Sequence, residues 1–365
     1  MHRALILALG TALCAVPLAA VAADAPAGKA AAKAPAAFKA PKTAFGQPDI
    51  SGHWTNATLT PMTRSSAVGG RQAYTPEEVK KMEGAVQKEV EEGNKSTDPN
   101  APAEAPKRDT ANTRPEFAAA GGDVGGYNRG WLDPGSTVMR VHGEPRTSLI
   151  MTPNGLPPAR KAGTPAAPSF RGGGGSFDNP EARGMGERCI LSFGRNAGPP
   201  MFANGFYNNN YQIHQTPDAV VIEVEMVHDL RLVRLNSKHR TDNVRPYMGD
   251  AIGWWEGDTL VVETTHIPRA QQFMGSWENL KVTERFTRAG KTRLHYAFQV
   301  EDSTVWDKPW GGEYEFGPMQ TGVIYEYACH EGNYALPGIL AGAREEEKRA
   351  KAAAAGPAAK PGGAL

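Results

Sequence analysis

The chain has 365 residues, with 40 Lys and Arg against 39 Asp and Glu and a formal net charge of +1. That balance, with no basic stripe, argues against nucleic acid as a partner. Roughly 300 residues lie between two low-complexity ends, room for one large domain or two small ones.

Residues 1–23, "MHRALILALGTALCAVPLAAVAA", have a short basic start, an apolar run and small residues at Ala20, Ala22 and Ala23, the pattern of a cleavable export signal. Leu13 precedes Cys14, so no lipid anchor is expected. The expected location is the periplasm or the exterior. No later run reaches the roughly 20 apolar residues of a membrane span, so no membrane insertion is expected. Residues 24–44, rich in Ala, Pro and Lys, read as a linker.

A single β-rich domain is predicted over residues 45–345, with "SGHW" at 51–54 as a first strand. "YTPEEVKKMEGAVQKEVEEG" predicts a surface helix over 75–93, with Thr75 and Glu78 as a capping box and Pro76 at its first position. Residues 94–176 read as a loop-rich Gly/Pro insertion in which only "TVMRVHG" and "RTSLIMTP" suggest short strands. From Asn210 onward the pattern alternates with period two in "NYQIHQT", "AVVIEVEM", "LRLVRL", "TLVVETT", "LKVTERF", "RLHYAFQV" and "GVIYEYAC". The fold class expected is mainly β: an antiparallel meander closed or half closed into a lipocalin-like barrel. Residues 346–365 read as a flexible tail, although "REEEKRAKAAAAGPAAKPGGAL" begins as a charged, Ala-rich helix before dissolving into Gly and Pro.

Beyond the leader the cysteines are Cys189 and Cys329, and two cysteines in an exported chain predict a disulfide. Strand parity places Val220, Ile222, Val224 and Met226 on one face, continuing to His228, with Asp229 on the wet face. A histidine ending an apolar row suits a general base, whereas the structural alternative is a strand-end histidine bonded to backbone. The same parity groups Leu260, Val262, Thr264 and His266. Glu301, His330 and Glu331 join His228 and Asp229 as candidate catalytic groups. Candidate binding residues are Asn210, Tyr211, Arg231, Trp255, Asp302, Trp306 and Trp310, because acidic groups beside aromatics at a barrel mouth suit a ring-containing ligand. Arg231 reads either as a carboxylate clamp or as a partner of Glu223 or Glu225. No His-x-His pair, zinc-helix spacing or Gly-x-Ser-x-Gly elbow occurs, so neither a metal nor any other cofactor is expected.

The blocks "QPDISGHWT", "RTSLIMTPNGLPP", "YNNNYQIHQTPDAVVIEVEMVHDLR", "MGDAIGWWEGDTLVVETT", "ENLKVTERFTR", "VEDSTVWDKPW" and "YEYACHEGNY" resemble, in order, the landmarks of a large family of exported bacterial proteins of unassigned function. The family carries Asn or Gly where this chain has His266. The Gly-x-Trp of the first strand is similar to lipocalin-type barrels. The function expected is binding of a small aromatic or ring-containing organic molecule in a barrel cavity, with cofactor-independent acid-base turnover by lyase, isomerase or hydrolase chemistry. The alternatives are a non-catalytic carrier and a structural envelope protein. Oligomeric state is left open.

Overall fold

The alternation of the sequence becomes a barrel wall. In chain order its strands are β1 (Gly52–Thr55), β4 (Asn210–Gln215), β5 (Ala219–Val224), β6 (Asp229–Leu235), β7 (Asp250–Glu256), β8 (Thr259–Thr265), β9 (Lys281–Gly290), β10 (Arg293–Glu301) and β11 (Trp310–Pro318). Two further strands, β2 (Arg140–Val141) and β3 (Glu144–Pro145), form a separate hairpin. This computed structural model describes residues 38–93, 133–164, 176–192, 195–203, 207–319 and 322–354. Residues 1–37, where the export signal and most of the linker are expected, and much of the expected Gly/Pro insertion lie outside the described residues.

The nine strands close in the order β1-β11-β10-β9-β8-β7-β6-β5-β4. Val220, Ile222 and Val224 of β5 point inward and are at most 1% exposed, beside Leu260 and Val262 of β8 and Phe286 of β9. The meander is antiparallel except where β6 meets β7, which pair in parallel through Val233↔Ala251, Arg234↔Ile252 and Leu235↔Gly253. A parallel step requires a crossover of a dozen or more residues, and the polar segment 236–249 supplies it.

The edge of β11 is closed by two different pieces of chain. Its end pairs with β1 through Trp54↔Pro318 and Thr55↔Gly317. Its start bonds to the segment 149–151, where Glu313 N donates to Leu149 O at 3.0 Å and Met151 N donates to Gly311 O at 3.0 Å. The approach is close enough that a Cβ on Gly312 would lie 2.3 Å from Leu149 O.

Helix α1 (Pro76–Gly93) starts as its sequence predicts. Glu78 N donates to Thr75 Oγ1 at 3.2 Å and Thr75 N donates back to Glu78 Oε2 at 2.8 Å. Helix α2 (Ala335–Ala354) includes the charged, Ala-rich stretch expected to be helical and begins before it, at Ala335.

Three strands, β3, β7 and β11, were not predicted, and two predicted strands are absent. "RTSLIMTP" makes only isolated bridges, through Arg146 and Ile150. "GVIYEYAC" is an extended strap, because the barrel is already closed and no edge is left to pair with it. Side chains take its backbone donors instead: Tyr325 N donates to Glu225 Oε1 at 3.0 Å, and Tyr327 N donates to His228 Nε2 at 2.8 Å. The strap is fixed by the Cys189–Cys329 disulfide, with a Cα–Cα distance of 5.7 Å.

Candidate ligand site at one barrel rim

The strand directions bring to one rim the ends of β5, β8 and β10 and the starts of β4, β6, β7, β9 and β11. Residues 195–202 cover this rim and supply polar partners to side chains rising from the wall. Tyr211 Oη donates to Asn196 O and Tyr314 Oη donates to Met201 O, both at 2.9 Å. Met201 N donates to Tyr296 Oη at 2.9 Å, and Arg231 Nη1 donates to Ala197 O at 3.2 Å. Asn56 Nδ2 bridges the Tyr211 and Tyr314 hydroxyls at 2.9 and 3.2 Å.

At the centre, Arg231 and Glu284 form a two-pronged ion pair, with Arg231 Nη1 and Glu284 Oε1 3.0 Å apart, and Tyr296 Oη donates to the same oxygen at 2.8 Å. Burial pushes the Tyr211, Tyr296 and Tyr314 hydroxyls upward, so they stay protonated and act as donors. Burial, then the neighbouring Arg231 guanidinium, lowers Arg195 to about 10. Arg195 lies 4.8 Å from the Phe273 ring centroid. Arg231, Glu284, Tyr211, Tyr296 and Tyr314 are each at most 1% exposed, so the chain's own groups fill the space beside them.

Most of the predicted site residues collect at this rim in roles that differ from expectation, whereas Trp255, near the end of β7 and opposite Leu260 at the start of β8, lies toward the other end of the barrel. Parity does not carry through the turn after β5, because Val227 and His228 adopt left-handed φ of 59° and 53°. His228 is therefore exposed, with Nε2 accepting from the strap, while Asp229 is buried and Oδ2 accepts from Ser192 N at 2.8 Å. Burial raises Asp229 to about 6 against the opposing pull of its Ser192 hydrogen bonds and of His228. Arg231 pairs with Glu284, not with Glu223 or Glu225. His266 leaves the inner row by turning at φ 54°, a conformation that suits Asn and Gly, and its Nδ1 meets Thr265 Oγ1 at 2.9 Å.

The acidic and aromatic group after β10 is a packed corner. Asp302 accepts from Thr304 N at 2.9 Å and from Ser276 Oγ, which caps a turn, while Glu301 lies 3.3 Å from Lys281 Nζ. Trp306 and Trp310 are buried edge to face with centroids 5.5 Å apart, and Trp255 packs against the core from the wall. These groups are not brought together with His330 and Glu331, which are exposed at the end of the strap.

An open cleft of about 880 Å³ lies between the start of β4, the turn after β5, the strap and the start of α2. Five carboxylates line it, Asp133, Glu187, Glu225, Glu326 and Glu331, and no Lys or Arg does so among the described residues. Tyr207 and Tyr327 stand on its wall as a near-parallel pair, with centroids 6.4 Å apart at 17°. Asn210, which was anticipated, donates from Nδ2 to Glu225 Oε2 at 2.6 Å and so orients that buried carboxylate. Sequence reasoning missed Glu225, Tyr207 and Tyr327 as members of a site. Glu225 continues a solvent-facing alternation, and nothing local shows that the strap will cover it.

Fold and cleft together define a closed nine-stranded β-barrel protein with an acidic, tyrosine-bearing cleft beside one rim. Comparison with family models, with curated proteins and with solved structures finds no match.

Proposed function

We propose that the protein is an exported binding protein for a small ring-containing organic molecule bearing hydroxyl or ammonium groups, held in the rim cleft and not within the barrel. The observation that carries this reading is the Tyr207–Tyr327 pair on the wall of a cleft whose charged groups are all carboxylates. A ring stacks against tyrosine, and hydroxyl or ammonium donors meet the carboxylates of the lining, of which Glu187 is already paired with Arg183 at 2.9 Å. The volume falls within the roughly 300–1,000 Å³ usual for small-molecule sites.

Binding without turnover is favoured over catalysis, because His228 already accepts a backbone hydrogen bond from the strap. Acid-base turnover has one observation in its support, the elevated Asp229. The test is equilibrium dialysis of the mature protein and Tyr327→Ala against a pool of aromatic and glycosidic metabolites, with bound and converted compounds read by mass spectrometry. A compound retained unchanged by the parent and lost at least tenfold in Tyr327→Ala supports the proposal. Conversion of a compound by the parent moves the reading to an enzyme, and retention of none overturns the ligand site.

A further inference from the structure

The outer wall of the barrel carries a second cluster, away from the rim cleft. His295 of β10 and Glu313 of β11 point outward, since their neighbours Tyr296 and Tyr314 point in. Register places His295 opposite Glu315, so Glu313 is its diagonal neighbour on the same face. The β2–β3 hairpin lies against this face and carries His142 at its tip. His142 N donates to Glu315 Oε1 at 3.1 Å, which fixes the tip in place.

Three donor groups separated by as much as 171 positions of chain thus converge, with ligand atoms of His142, His295 and Glu313 all within 4.8 Å of one another. The two imidazoles stack with centroids 5.2 Å apart at 24°. His295 Nε2 and Glu313 Oε2 are 3.2 Å apart.

We propose that His142, His295 and Glu313 bind a divalent late transition-metal ion, zinc being the best match. Two imidazoles and a carboxylate form a borderline nitrogen and oxygen donor set, which suits zinc, copper(II) or nickel and does not suit calcium or magnesium. Bonds of about 2.0–2.2 Å in tetrahedral geometry separate ligand atoms by roughly 3.3–3.5 Å, slightly more than the 3.2 Å between His295 Nε2 and Glu313 Oε2. Rotation of the His142 ring closes the remaining gap. That ring is on an exposed turn, and its nitrogens make no hydrogen bond among the described residues.

Supporting groups complete the argument. Glu313 Oε1 is held by Arg146 Nη2 at 2.8 Å, and Arg146 is buried, so Oε2 is the oxygen directed at the imidazoles. Glu315, which anchors the hairpin tip, is itself buried and held by Arg293 at 3.1 Å. With three ligands from the chain, the fourth position faces solvent. The occupied site would pin the β2–β3 hairpin to the barrel wall.

A second cluster, His239 with Asp250 and His266, has the same ligand types but is already spent as an ion-pair network. Asp250 Oδ1 takes Arg234 at 2.7 Å, and Oδ2 takes Arg240 N at 2.8 Å and His239 Nδ1 at 2.9 Å. A metal there must displace several hydrogen bonds, whereas at the first cluster it displaces only the His295–Glu313 contact.

The test is calorimetric titration of zinc chloride into untagged, chelator-treated mature protein, with copper(II) electron paramagnetic resonance as a second readout. His142→Asn removes the imidazole while tolerating the left-handed φ of 51° at that position, and melting in chelator checks that the variant folds as the parent does. The expected result is one zinc per chain, with affinity reduced at least tenfold in His142→Asn and in His295→Gln and unchanged in His239→Ala. Copper-bound parent should show nitrogen coupling that His142→Asn reduces. No zinc binding by the parent, or full binding by His142→Asn, overturns the site.

Discussion

Arg231 and Glu284 face each other across the barrel, from β6 and β9, with side chains 1% and 0% exposed. Removing two charges from water is costly, and it is offset here by a two-pronged contact, by Tyr296 Oη on Glu284 and by Ala197 O on Arg231. Glu284→Gln leaves a guanidinium buried without its counter-charge. The expected loss is about 3–5 kcal/mol in urea unfolding. Arg231→Met with Glu284→Leu should lose less than the single change, and the reverse order would show that the pair is not the stabilising unit.

Asp229 gives the fold a signed dependence on pH. Its carboxyl titrates near 3.8 in the ordinary state and at about 6 when folded, so the folded chain holds the proton more tightly. Its contribution to stability is complete below about 3.8 and is lost as pH rises through 6. A shift of this size corresponds to about 3 kcal/mol. Asp229→Asn should therefore flatten the stability profile between pH 4 and 6 relative to the parent, as read by chemical denaturation at each pH. An unchanged slope would remove burial of this carboxyl as its cause.

The disulfide ties the segment around Cys189 to the strap across a sequence separation of 140. Chain-entropy reasoning puts the effect of so long a loop at about 4–5 kcal/mol, although measured effects often fall below this. The oxidised mature protein, without Cys14, should show no titratable thiol until it is reduced. Cys329→Ser should lower the melting temperature and loosen the strap, raising hydrogen exchange at Tyr325 N and Tyr327 N before the barrel strands respond.

Gly312 stands where two backbones approach closely. Gly312→Ala places a methyl group against Leu149 O and the Phe298 ring, at 2.3 and 2.8 Å before relaxation. A loss of about 1–3 kcal/mol is expected. Gly317→Ala, with nothing within 4 Å of the added carbon, serves as the control and should be near neutral.

Much of the wall was legible because a half-buried strand writes its inner face as every second residue. Val220, Ile222 and Val224 illustrate this, as does the capping box of Thr75 and Glu78. β11 was not legible, since Gly311 and Gly312 interrupt its pattern, Gly311 where Phe298 O of β10 comes close and Gly312 where the 149–151 segment does. The strap was misread because its Val323 and Tyr325 alternate as a strand does, yet they are 54% and 61% exposed. The ion pair had a signal that went unused: Glu284 lies in the apolar row Val282, Glu284, Phe286, where a carboxylate requires a buried cation. The rim cleft and the His142 cluster depend on contacts between distant segments, which no local spacing encodes.

The divided closure of β11 bears on the order in which the protein is made. β1 and the 149–151 segment, which together line its outer edge, both precede β4 in the chain. When β11 emerges, the two pieces that cover it already exist, and β1 is also waiting for β4 through Gly52↔Ile213 and Trp54↔Tyr211. A fragment beginning after residue 203 would contain eight of the nine strands and expose the free edges of both β4 and β11, a template for pairing with other copies. The short N-terminal strand thus acts as a guard present from early in synthesis, sparing the growing chain a stage at which the barrel is nearly whole and open to its neighbours.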